Sequence, residues 1–80
     1  MKAAGEKERI AVIRSPKGKE ERIEAWRFHS IVNVLRQNGS TRPEAESIAE
    51  WAARSAKPGT QVTTWTGYTV EIEEEENGNV

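Results

Sequence analysis

Phe28, Ile31, Val32 and Leu35 fall at i, i+3, i+4 and i+7, the spacing of a single apolar stripe on a helix. Arg27, Asn33, Arg36 and Gln37 supply the polar positions around it. Asn38-Gly39 ends this helix, since glycine suits the left-handed position beyond a helix C-terminus. A second helix opens at Ser40-Thr41-Arg42-Pro43-Glu44. Thr41 is placed to cap the free amides while Glu44 reaches back in a capping box, and Pro43 sits where no backbone donor is needed. Ala45, Ile48, Ala49, Ala52 and Ala56 then line one narrow face, and Lys57-Pro58-Gly59 stops the helix. Small residues on that face imply close approach, so the pair reads as an αα-hairpin.

The flanks change period. Arg9 to Arg14, with Ile10-Ala11-Val12-Ile13 at its centre, reads as a strand stopped by the turn Ser15-Pro16-Lys17-Gly18. Glu20 to Glu24 fits either a short polar return strand or the first turn of the next helix. From Thr60 to Ile72 three readings compete. Val62, Thr64, Thr66, Tyr68, Val70 and Ile72 make one face of a strand; Gly67 closing a turn makes a hairpin instead. Trp65, Tyr68, Thr69 and Ile72 also share a helical face, but Gly67 inside a helix costs about 1 kcal/mol. Enrichment in Thr, Val, Tyr and Trp favours extended chain.

The expected architecture is α+β in a single domain: an N-terminal strand or hairpin, two antiparallel central helices, and a C-terminal strand segment completing a small antiparallel sheet. Ile10 and Val12 are expected to lie in that sheet under Phe28, Ile31, Leu35, Ile48 and Ala52. Residues 9–72 form the expected globular core. Met1 to Glu8 reads as a frayed arm, and Glu73 to Val80 as a solvated acidic tail.

Composition narrows the function classes. A chain of 80 residues buries only roughly 60% of its unfolded surface, which leaves little room for a large pocket beside a core. It has no cysteine and one histidine, so neither a thiolate site nor an imidazole zinc cluster is expected, and no metal ligands are assigned. The formal net charge of −1 gives no global footprint for nucleic acid. No apolar run approaches the roughly 20 residues of a membrane span, and Met1-Lys2-Ala3-Ala4-Gly5 lacks the apolar core of a signal peptide. A cytoplasmic protein is the expectation.

Catalytic chemistry finds no footing. His29 and Ser30 are adjacent on a predicted helix and point about 100° apart, and aspartate is absent from the chain. No catalytic residue is assigned, and a non-enzymatic protein is expected. Arg14, Lys17 and Lys19 flank Gly18, where cations and backbone amides can converge on an anion, with Arg27 as a second prong. The same residues also suit any exposed turn, and Glu20, Glu21 and Glu24 weaken the field. Trp26, Trp51 and Trp65 supply core area in a small domain. Trp26 and Trp51 lie off the predicted core faces, which marks them as candidate partner anchors.

The segment Gly18 to Val32 resembles the entry of the ATP-cone, a small regulatory domain that binds adenine nucleotides. Val12-Ile13-Arg14 looks like that family's first strand, with Arg14 in place of a phosphate-contacting Lys. Gly18-Lys19 resembles its Gly-Arg turn, and Arg27 takes the place of the nucleotide-contacting Lys on its first helix. Ala45-Glu46-Ser47-Ile48-Ala49 and Val62-Thr63-Thr64 resemble later segments. The chain departs from the pattern by one extra residue between Arg14 and Gly18, by Ile23 where the family has Phe, and by extended character after Thr64. The resemblance implies ATP or dATP as an effector held by Arg14, Gly18, Lys19 and Arg27, with Lys17 added as an anion-binding candidate by its place in the turn. The leading expectation is a small protein-binding or regulatory adaptor, phage-type for instance, that uses no cofactor. The alternative is adenine-nucleotide sensing, and nucleic-acid binding stands third.

Overall fold

A computed structural model of the chain describes residues 7–76. Its elements run β1 (Lys7–Arg14), β2 (Glu20–Glu24), α1 (Phe28–Gln37), α2 (Arg42–Arg54), β3 (Gln61–Thr63) and β4 (Thr69–Glu76). All pairings are antiparallel, and the strands lie in the order β2-β1-β4-β3. The two long strands occupy the centre, and each carries a short partner on its outer side. The fold is α+β, with strands at both ends of the chain and the helical hairpin between them.

The helices form where the apolar stripe placed them. Ile31, Val32 and Leu35 of α1 are buried, as are Ala45, Ala49 and Ala52 of α2. Thr41 caps α2 by accepting from the Glu44 N–H at 3.3 Å, and Pro43 lies in its first turn. The reciprocal half of the capping box does not form. The Glu44 carboxylate instead accepts from the Trp65 backbone N–H at 3.0 Å, because the β3–β4 turn lies against the start of α2.

Glu20 to Glu24 resolves as the return strand, with Ile10 opposite Glu24 and Arg14 opposite Glu20. Residues 61–76 resolve as a hairpin rather than one strand or a helix, with Thr63 opposite Thr69. The acidic run also differs from expectation. Glu73 to Glu76 belong to β4 and pair with Ile10 back to Lys7, so Lys7 and Glu8 are strand rather than arm. Cross-strand charge accompanies it: Arg9 lies opposite Glu74 in register, and Arg22 is paired with Glu73 and Glu75. The rest of the expected arm and tail, residues 1–6 and 77–80, lies outside the described residues.

One face assignment reverses. Ala11 and Ile13, with Val70 and Ile72 opposite them, join the core under the helices. Ile10 and Val12 therefore point to the other face, since successive strand residues alternate. Val12 is nevertheless 0% exposed. It lies between Arg22 and Glu71 in register, and long charged side chains cover it there. Arg14 donates to Glu20 at 2.7 Å and to Glu71 at 2.8 Å, and Arg22 donates to Glu73 at 2.8 Å and to Glu75. The aliphatic stems of such residues shield apolar surface while their heads stay wet.

Arg9, on the helix side of β1, donates to the carbonyl of Ala52 near the C-terminus of α2. That carbonyl has no partner within its own helix, so the contact ties α2 to the central strand. The Nε of Arg9 is buried without a hydrogen-bond partner.

Candidate functional site

Ser15-Pro16-Lys17-Gly18-Lys19 closes the first hairpin. Ser15 O accepts from the Gly18 N–H at 2.9 Å, and the Ser15 N–H donates to Lys19 O at 2.8 Å. The Ser15 hydroxyl oxygen also accepts from the Lys17 and Lys19 N–H groups at 3.2 and 3.0 Å. The turn amides expected to cradle an anion are thus already occupied by the turn itself.

The predicted cations do not converge. Arg14 points to the face opposite the helices, where Glu71 and Glu20 engage it and raise its pKa above the ordinary arginine value. Glu73 and Glu75 do the same for Arg22. Lys19 lies on the helix side, in a recess with Ser15, Val34, Asn38 and Tyr68. That recess holds about 120 Å³, against roughly 300–1,000 Å³ for ordinary small-molecule pockets. Lys17 flanks a second recess with Pro16 and Tyr68. Arg27 sits beyond the other end of β2, paired with Glu24. Four cations close in sequence are divided between two faces and two ends of the sheet.

The aromatic residues separate more sharply. Trp51 is half-buried and packs on the core. Trp26 is 61% exposed, but the Arg27 guanidinium lies 4.7 Å from its ring centroid and covers one face. His29 is exposed and meets Phe28 edge-on, with ring centroids 5.4 Å apart. Trp65 is 94% exposed, and the turn that carries it is fixed from several sides. Its N–H is held by Glu44. Beside it, the Thr66 hydroxyl donates to Asn38 O at 3.2 Å and meets the Thr64 hydroxyl at 3.0 Å. Tyr68 completes the platform by donating to Asn38 Oδ1 at 3.0 Å.

Trp65 was not among the partner anchors expected from sequence. The signal that locates it is the frame Thr64-x-x-Gly67, which repeats Ser15-x-x-Gly18. Trp26 precedes the N-terminus of α1, whereas the Trp65 turn touches its C-terminus at Asn38. The 10 residues of α1 span about 15 Å, so the two exposed indoles sit at opposite ends. Among the described residues no group of side chains is arranged to hold a metal ion, and no helix is long and apolar enough to cross a membrane. Comparison with protein-family models, curated proteins and solved structures finds no match.

Proposed function

We propose that the chain is a small non-enzymatic protein-binding module that presents Trp65 to its partner. The observation that carries this reading is the indole, 94% exposed on a turn tied to the start of α2 through the Trp65 N–H and to the end of α1 through the Thr66 hydroxyl. A large ring on a fixed turn loses little conformational freedom when it is covered, so more of its burial energy appears as affinity. A buried tryptophan removes up to 150–250 Å² from water, roughly 4 kcal/mol or more before costs. Pro16 lies against Gly67 of the same turn, and with Lys17 and Tyr68 it lines a recess at that end of the sheet.

The test compares proteins retained from a cell lysate by the immobilised wild-type chain, by Trp65→Ser and by Trp26→Ser. A set lost only with Trp65→Ser supports the reading. Equal retention by all three overturns it. So does a melting temperature raised by several millimolar ATP or dATP and left unmoved in Arg14→Ala or Arg27→Ala, which would put adenine-nucleotide sensing first.

A further inference from the structure

β2 has a strand on one side only, and the phase of its ladder fixes what its outer side offers. The direct backbone bonds of the first hairpin join Ser15 with Lys19 and Arg9 with Ala25. Those pairs, and every second pair between them, use the inward groups of Lys19, Glu21, Ile23 and Ala25. Glu20, Arg22 and Glu24 therefore turn their N–H and C=O groups outward. The Glu24 carbonyl is taken by the Arg27 N–H at 3.0 Å, which closes that end. Glu20 and Arg22 leave two donors and two acceptors along the open edge.

That edge borders a groove beside α1. One recess is lined by Lys19, Glu21, Val34 and Asn38, and the next by Glu21, Ile23, Ser30, Val34 and Arg27. They share Glu21 and Val34, so they join end to end. The five residues of β2 extend roughly 17 Å, about the length of α1. Ile13, Ile23 and Val34 supply the apolar floor.

We propose that this groove takes an extended segment of a partner protein as a fifth strand, antiparallel to β2. The groove meets the Trp65 platform at Asn38 and Tyr68 but makes no use of the Trp65 indole, so it can stand or fall independently of the reading above. Bonding through Glu20 and Arg22 makes Lys19, Glu21 and Ile23 the non-bonded positions, where opposite side chains come closest. Among the described residues Lys19 and Glu21 are in no ion pair within the chain. Charge complementarity then specifies the occupant: an acidic residue opposite Lys19, a basic one opposite Glu21 and an apolar one opposite Ile23. Read from its own N-terminus, the segment carries apolar, basic and acidic residues at alternate positions. Alternating charges on an edge also reject strands of the wrong pattern.

The probe is an eight-residue β-prone synthetic peptide with Val, Lys and Glu at alternate positions, titrated into the isotope-labelled full chain beside its scrambled counterpart. The expected result is that backbone amide signals of Glu20, Arg22, Ser30 and Val34 move with the ordered peptide and stay with the scrambled one. Arg22→Pro removes an outward donor without touching the ladder to β1 and should abolish binding, whereas Arg22→Gln keeps the donor and should bind within about threefold. Should Arg22→Pro fail to fold, a charge swap decides. Lys19→Glu should weaken binding about tenfold and regain it when the peptide's Glu is replaced by Lys. Equal binding of the scrambled peptide, signals that move only around Trp65, or no movement at millimolar peptide overturns the proposal. So does a concentration-dependent dimer paired through β2, which would assign the edge to a second copy.

Discussion

The two hairpin turns are the same backbone device in two settings. Each begins on a hydroxyl residue, Ser15 or Thr64, whose carbonyl accepts from a glycine N–H three residues on, at 2.9 and 3.0 Å. In each the next residue, Lys19 or Tyr68, gives its N–H to that hydroxyl, at 3.0 and 3.1 Å. Gly18 and Gly67 have φ of +89° and +87°. The surroundings differ. A Cβ on Gly18 meets nothing within 4 Å, whereas Gly67 faces Pro16 at 3.2 Å. Thr66 of the second turn is pressed on Gly39 so closely that a Cβ there would lie 2.9 Å from its methyl. The first turn closes a hairpin. The second closes a hairpin and also clamps the connection between the helices.

Gly39→Ala is the most disruptive way to break that clamp. Its φ of +97° costs an L-residue about 1–2 kcal/mol, and displacing the Thr66 methyl raises the total to roughly 2–3 kcal/mol. Thr66→Ser removes the methyl and keeps the hydroxyl, so the double variant should recover about 1 kcal/mol in a mutant cycle. Additive losses in urea unfolding would show that the close approach is relaxed in solution. Next in size comes the direct contrast between the turns. Gly67→Ala should cost about 1.5–2 kcal/mol and Gly18→Ala about 1 kcal/mol, because only the former meets Pro16. A stabilised Gly67→Ala would contradict the hairpin itself.

This contrast also explains what could be read from sequence. Both helices, the Thr41 cap and the first turn follow from local signals, because spacing, Pro and Gly act over a few residues. Ser-Pro-Lys-Gly is an evident turn. Thr-Trp-Thr-Gly is the same turn filled with residues that favour strands, since its middle positions answer to Asn38, Gly39 and Glu44 rather than to the turn. Glu73 to Glu76 reads locally as a solvated run but pairs with β1 as strand, with Arg22 of β2 reaching Glu73 and Glu75. The capping box was half legible for a similar reason: Glu44 had a distant amide to serve. Of the expected site residues, Arg14 and Arg27 carry counter-charges from Glu71 and Glu24. Glu24 is a local partner, three residues before Arg27, and its counter-charge is legible in the sequence, whereas only the pairing of β1 with β4 brings Glu71 to Arg14.

The hydroxyls should differ in the same sense as the glycines. Thr64 is 4% exposed, so Thr64→Val leaves the Tyr68 N–H and the Thr66 hydroxyl short of a partner at nearly constant volume. A loss of about 1–2 kcal/mol is expected. Ser15→Ala uncovers the Lys17 and Lys19 amides where water replaces the hydroxyl, and about 0.5 kcal/mol is expected. Equal losses, read as midpoint shifts at constant slope, would mean that the second turn is as wet as the first.

The smallest expected effect bears most directly on function. Trp65→Ser should change stability by no more than about 0.5 kcal/mol, since the ring covers nothing in the isolated chain and the Trp65 N–H that Glu44 holds belongs to the backbone. Acrylamide should quench a variant that keeps only Trp65 strongly, a variant that keeps only Trp26 less, and one that keeps only Trp51 least. That order follows the exposure of the three indoles. A loss above 1 kcal/mol on Trp65→Ser, or a shielded Trp65 in the monomer, would mean that the ring folds back on the chain. The two turns would then both be purely structural, and the case for Trp65 as an anchor would fail. A silent substitution with an accessible ring leaves a large apolar side chain on an anchored backbone that the fold does not use, which is the condition a binding anchor requires.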